Sequence, residues 1–227
     1  MSKDLPENTT HFSNIKEETC LYKKTQADSP TTQTVSETAI SYGVKRQGEY
    51  TLTDYYAFPD DRRIELINGV IYDMAAPGLL HQQICGEIFR QIANHITEKK
   101  GTCIPFIAPV DVQLDCDDKT MVQPDIGILC DRNKYRENLI FGAPDFLIEV
   151  LSPSTRRKDM TLKLQKYADA GVREYWMVDL KRKVVLTWFF EAEDYPVIYG
   201  FKDKIPVRMY HEDMIIDMRT MLPWLTE

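Results

Sequence analysis

Asp145-Phe146-Leu147-Ile148-Glu149-Val150-Leu151 is apolar almost throughout and carries one internal carboxylate, Glu149. A run of this kind predicts a central strand covered on both faces. Ser152-Pro153-Ser154-Thr155 behind it reads as a loop. A helix then follows from about 158 to 170 and stops at Gly171. Residues 174–179 and 183–190 predict two further strands around a Leu180-Lys181-Arg182 turn.

Upstream, residues 102–114 and 121–130 predict two strands joined by a turn at 115–119. Before them, Leu80, Ile84, Ile88, Ile92 and Ile96 recur every fourth residue. They draw one apolar stripe on a helix from about 80 to 99, closed by Gly101. Asn68-Gly69 sits between Arg63-Ile-Glu-Leu-Ile67 and Val70-Ile-Tyr-Asp-Met74. Asn-Gly between two such runs is a strong hairpin signal, so a hairpin is expected at 62–75. Thr51 or Thr53 caps a short helix ahead of it. The C-terminal part reads as a strand at 207–210 and a short helix at 218–225. The sum is an α/β (α+β) fold: a mixed central sheet flanked by helices, with an N-terminal hairpin.

The chain has 227 residues, 43% of them hydrophobic, which suffices for one well-buried domain. Residues 1–41 are rich in Ser and Thr and show no helical or strand period, so 1–48 reads as a disordered tail and 49–227 as the domain. Acidic and basic residues balance in the tail, so the formal charge of -7 belongs to the domain. That excludes a uniformly basic nucleic-acid coat. It leaves room for an acidic pocket that meets phosphate through a cation. Five cysteines without a CxxC pair argue against a disulfide framework or a structural zinc site. Free thiols in a reducing compartment are the expectation. No apolar run is long enough to span a bilayer, and MSKDLPENTT lacks a signal core. A soluble, cytoplasmic protein is expected.

Two carboxylates stand where a core-building sequence would not put them. Asp125 follows Pro124 in a run otherwise of Val, Ile and Leu, and Glu149 interrupts the central strand. Isolated buried carboxylates cost several kcal/mol and are normally paired, protonated or bound to a metal. Together they suit a hard divalent cation, Mg²⁺ or Mn²⁺. Asp159, Lys163 and Tyr167 are spaced by four, which places them on one helix face. Each residue also has a plain structural use. Asp125 can end a strand, Glu65 can pair with Arg62 or Arg63, and His81 can cap its helix. Asp179 fits a turn residue, and Asp111 lies near Asp125 in the sheet but alternation can aim it elsewhere. The basic runs 156–158 and 181–183 fit solvated loops, although Arg156, Arg157 and Lys158 follow the central strand and would meet a phosphate backbone crossing it.

Pro124-Asp125, a spacer, and Glu149-Val-Leu resemble the PD-(D/E)XK nucleases. The wider set is Arg63-Ile-Glu-Leu-Ile-Asn-Gly69, His81-Gln, Val-Gln-Pro-Asp125, Ile-Glu149-Val-Leu-Ser-Pro-Ser-Thr155, Lys163 four before Tyr167, and Gly171-Val-Arg-Glu-Tyr-Trp-Met-Val-Asp179. It resembles the Uma-type restriction endonuclease family over roughly residues 50–225. The resemblance implies a restriction-endonuclease-like core and metal-dependent hydrolysis of DNA. Asp125 and Glu149 would be metal ligands, with Glu65 as an additional acidic member. Lys163 would replace the lysine usually found two residues after the second carboxylate, where this chain has Leu151. His81, Arg156, Arg157 and Lys158 are candidate substrate contacts, and a homodimer would suit two cuts on a duplex. The missing lysine at 151 motivates the alternative, a catalytically inactive DNA-binding or dimeric interaction module. Tyr175, Trp176, Trp188, Phe189 and Phe190 are candidates for a dimer face or for the core.

Overall fold

The computed structural model describes residues 45–59, 62–152, 155–192 and 195–225. The expected tail, up to residue 44, lies outside them. Residues 45–48 already meet the hairpin. Gln47 Oε1 accepts from Ile71 N at 2.9 Å, and Gly48 N donates to Gly69 O at 2.8 Å, so this segment is already pinned to the hairpin.

Helix α1 (Leu52–Ala57) starts at Thr51, whose backbone N and Oγ1 both donate to Asp54 Oδ2 in a capping box. The hairpin is β1 (Ile64–Ile67) and β2 (Val70–Asp73), paired Glu65↔Tyr72. Asn68 and Gly69 both have positive φ, 52° and 74°, the geometry that Asn-Gly adopts at low cost. A Cβ on Gly69 would meet Gly48 O at 2.4 Å, so only glycine fits where the N-terminal segment crosses the turn.

Helix α2 (Leu79–Glu98) follows the predicted stripe, with Ile84, Ile88, Ile92 and Ile96 buried. Next come β3 (Ile104–Ile107), β4 (Asp111–Gln113), β5 (Ile126–Leu129), β6 (Leu139–Phe141) and β7 (Phe146–Leu151). Helix α3 (156–170) runs through Arg156–Lys158, a wider π turn at Asp159–Lys163, and Leu164–Ala170. Gly171 ends it at φ 92°. Then follow β8 (Glu174–Asp179), β9 (Val184–Phe189), β10 (Val197–Gly200), β11 (Lys204–Pro206) and β12 (Ile215–Asp217), with a last 3-10 turn at Met218–Trp224. None of the described helices is long and apolar enough to cross a membrane.

The main sheet has six strands in the order β10-β9-β8-β7-β5-β3. Strands β7 and β8 are parallel, joined across α3, and the remaining pairs are antiparallel. Helix α2 packs on one face against Ile126, Ile128, Ile148, Val150, Trp176 and Val178. On the other face Tyr167 of α3 meets Leu147, Leu151, Tyr175, Met177 and Trp188. The hairpin builds a third cluster from Ile64, Leu66, Ile71, Tyr55 and Met121.

Several expectations are corrected. The strand expected at 102–114 divides into β3 and β4, with Pro109 between them unable to donate to a ladder. Pro124 likewise interrupts 121–130. Met121 and Val122 bridge to Leu66 and Val112, and only 126–129 joins the main sheet. Residues 208–210 are a 3-10 turn, not a strand, because the ladder there is made by β11 and β12. Cys103 and Cys130 form a disulfide. They stand one rung beyond the Ile104↔Leu129 pair, so chain folding makes them neighbours that spacing does not reveal. The cysteines therefore no longer argue for a reducing compartment, although Cys85 is a buried free thiol as expected. Tyr175, Trp176 and Trp188 are buried core residues, so they do not form a dimer face.

Candidate active site

Because Pro124 stops the ladder, Asp125 sits at the mouth of β5. The β5–β7 register, Ile126↔Ile148, extends to place Asp125 opposite Glu149. Asp125 Oδ2 is fastened there by Val150 N at 2.8 Å and faces His81 Nε2 at 3.2 Å. His81 Nε2 also lies 3.0 Å from Val150 O, and its Nδ1 lies 3.5 Å from Cys85 Sγ one helical turn on. Both ring nitrogens therefore face protein, and His81 braces Asp125. Burial opposes its charge, but the Asp125 carboxylate outweighs that and leaves the imidazole above its usual range.

Helix α3 delivers Lys163 beneath the sheet. Its Nζ lies 2.8 Å from Glu149 Oε1, 2.7 Å from Glu65 Oε1 and 3.7 Å from Asp159 Oδ1. Tyr167 Oη donates to the same Glu149 oxygen at 2.7 Å. The lysine is 2% exposed, yet its three carboxylate neighbours overcome the desolvation cost and hold its ammonium well above the usual range. Burial drives the Glu149 carboxyl well above its ordinary value. Lys163 opposes this, while Asp159, Asp125 and Glu65 reinforce it. Burial raises Glu65 too, but Lys163 and Lys158 outweigh it and keep that group ionised.

Asp125, Glu149, Glu65, Lys163, His81, Lys158 and Asp159 all line one cavity of about 480 Å³, with Arg63 and Lys181 also on its wall. The acidic site candidates Asp125, Glu149 and Glu65 thus line it together with Lys163. The basic run divides. Arg156 pairs with Asp179 at 2.5 Å, and Lys158 pairs with Glu65 at 2.5 Å, so neither is the solvated loop cation expected. Arg157 remains exposed and lines an adjoining cavity with Tyr72 and Thr161. Asp179 is more than a turn residue, being buried as the anchor of Arg156. Asp111 points elsewhere, accepting from Tyr55 Oη and Gln123 Nε2. From its spacing Asp159 only shares a helix face with Lys163. Here it is a buried wall of the cavity whose Oδ1 accepts no hydrogen bond.

Four carboxylates and four cations, Arg63, Lys158, Lys163 and Lys181, line this cavity, so formal charge is balanced on its wall. Among the described residues, Asp125 Oδ1 and Glu149 Oε2 accept no hydrogen bond, while their partner oxygens are fixed. Two immobilised hard oxygen donors are the kind a Mg²⁺- or Mn²⁺-class ion takes, and among the described residues the ligand atoms within 4.8 Å of one another are those of His81, Cys85 and Asp125.

The chain matches the family described as "Uma2: Putative restriction endonuclease" over residues 51–204. A crystal structure of a "putative nuclease belonging to DUF820" from Anabaena variabilis has a similar fold. The TM-score is 0.64 at 20% identity, covering 78% of this chain and 99% of that one. That likeness shows the shared fold of a mixed sheet with flanking helices. A search of curated proteins finds no match.

Proposed function

The chain belongs to the Uma2 family of restriction-endonuclease-like proteins, and from that premise we propose that it is a metal-dependent endonuclease hydrolysing phosphodiester bonds of DNA. One observation carries the reading. Lys163 reaches Glu149 from α3, so the ammonium missing at Leu151 is supplied from another element inside the same cavity as Asp125.

Asp125 and Glu149 would hold Mg²⁺ or Mn²⁺. Such an ion supplies Lewis-acid chemistry, acidifying water and neutralising charge on the attacked phosphate. Burial disfavours the ionised form of Glu149 that would bind the ion, so affinity is expected to rise with pH. Lys163, locked by three carboxylates, presents fixed positive charge toward developing negative charge without reorganising. Tyr167 and Val150 N orient the two carboxylates, and His81 braces Asp125 from behind. Arg63 and Lys181 line the cavity and exposed Arg157 the adjoining one; they would meet flanking phosphates, contacts that position without reading sequence. A homodimer that cuts both strands and a cytoplasmic setting go with this reading.

Plasmid cleavage with Mg²⁺, Mn²⁺ or EDTA tests it. Cutting is expected only with the ions and is lost in Asp125→Ala and Glu149→Ala. Cutting that persists in either variant, or in EDTA, refutes the mechanism. Binding of DNA without binding of a divalent ion favours an inactive module, and light scattering reports the oligomeric state.

A further inference from the structure

Resemblance assigns Glu65 to the cation, but its contacts point to a different task. We infer that Glu65 is a positioning residue, a clamp for Lys158 and Lys163 that stands outside the ligand set of Asp125 and Glu149. The ligand half of this inference rests on the nuclease reading; the clamp does not.

Glu65 is fully buried and both its oxygens are engaged. Oε1 accepts from Gln123 N at 3.0 Å and faces Lys163 Nζ at 2.7 Å. Oε2 accepts from Lys158 Nζ at 2.5 Å. A cation approaching Glu65 would confront two ammonium groups and break charge-assisted bonds in a site with little water to replace them. Asp125 and Glu149 differ, because each turns one oxygen to the cavity and fixes the other.

The hairpin is built for this holding role. Glu65 pairs with Tyr72 across β1 and β2, and the Tyr72 ring lies 5.3 Å from Lys158 Nζ. Carboxylate and aromatic ring thus grip the same ammonium from adjacent positions. Because Lys163 bridges Glu65 and Glu149, the clamp also sets the distance from the lysine to the ligand carboxylate.

The test combines amine acylation of the full chain, read by mass spectrometry, with calorimetric Mn²⁺ titration. Glu65→Gln is expected to raise acylation of Lys158 at least fivefold while keeping Mn²⁺ affinity within threefold. Asp125→Asn is expected to weaken Mn²⁺ at least tenfold and leave Lys158 protected. Unchanged Lys158 acylation in Glu65→Gln, or a loss of Mn²⁺ matching Asp125→Asn, overturns the inference. If Glu65→Gln does not fold, Glu65→Asp withdraws the carboxylate by one methylene and gives the same labelling readout. In the wild type, saturating Mn²⁺ should leave Lys158 protected, and release of Lys158 would place Glu65 on the ion. A wild type that binds no Mn²⁺ refutes the cation reading, while the acylation arm still decides the clamp.

Discussion

Glu149 and Glu174 lie on the neighbouring parallel strands β7 and β8, and both are buried. Burial pushes both carboxyls above their ordinary range. Their surroundings differ. Glu174 Oε1 accepts from Trp176 Nε1 at 2.7 Å and Oε2 from Met209 N at 2.8 Å. It ties β8 to the C-terminal segment, and each oxygen has its partner. Glu149 gives one oxygen to Lys163 and Tyr167 and turns the other to a cavity. A perturbed carboxyl is therefore common to structure and chemistry. What separates the two is the oxygen left to face open space.

The largest expected effect tests that distinction directly. Glu149→Ala and Asp125→Ala should lower metal-dependent cleavage by about 10²–10³-fold or more, the scale of losing a pre-organised electrostatic group. Glu174→Gln should leave cleavage per folded molecule within about threefold, since it removes no group that meets the reacting atoms. Equal losses in a plasmid assay would erase the difference between the two glutamates.

Next in size is Lys163→Met. It strands Glu65, Glu149 and Asp159 without their shared cation, and should destabilise by about 3–5 kcal/mol in urea unfolding. Adding Glu149→Gln to Lys163→Met should restore part of that loss, whereas adding Glu174→Gln should not.

Glu174→Ala orphans a buried indole N–H and a buried amide, at about 1–3 kcal/mol each. Chemical denaturation followed by tryptophan fluorescence reads this loss, and a loss below about 1 kcal/mol would show that Glu174 is not the tie described.

The smallest effect is a slope. Both glutamates have folded-state pKa values above their unfolded ones, so the native state binds more protons than the unfolded chain. Their contribution is present below the unfolded value and is lost as pH rises through the folded one, by at most about 1.4 kcal/mol per pH unit for each proton. Glu65 has the opposite sign, and its contribution is lost as pH falls. Added Mn²⁺ should flatten the share belonging to Glu149 and leave that of Glu174 untouched. Thermal melts across pH, with the ion and with EDTA, separate the two.

The sequence reveals the central strand, the stripe of α2, the Asn-Gly turn and the carboxylates Asp125 and Glu149, because each contradicts or repeats a local pattern. Glu174 escapes that reading. At the first position of its strand it looks like an ordinary polar terminus, and only the return of the chain at Met209 buries it. The pairing of Lys158 and Lys163 with Glu65 joins residues more than ninety positions apart, so no local spacing announces it. Arg156 reads as a loop cation for the same reason, since its partner Asp179 closes the next strand. Spacing by four placed Asp159 and Lys163 together on a regular helix, whereas the chain there makes a π turn.

That turn makes the site sensitive to chain length as well as to side-chain identity. A π turn is an α-helix carrying one extra residue. Deleting a single residue within 159–163 would let the helix run regularly and rotate its first turn by about 100° against the rest. Tyr167 would stay on the sheet, but Arg156 and Lys158 would swing away from Asp179 and Glu65 together. Exposed Thr161 lies in the middle of this turn, at a position where a point substitution disturbs little and a one-codon deletion would unseat two ion pairs at once.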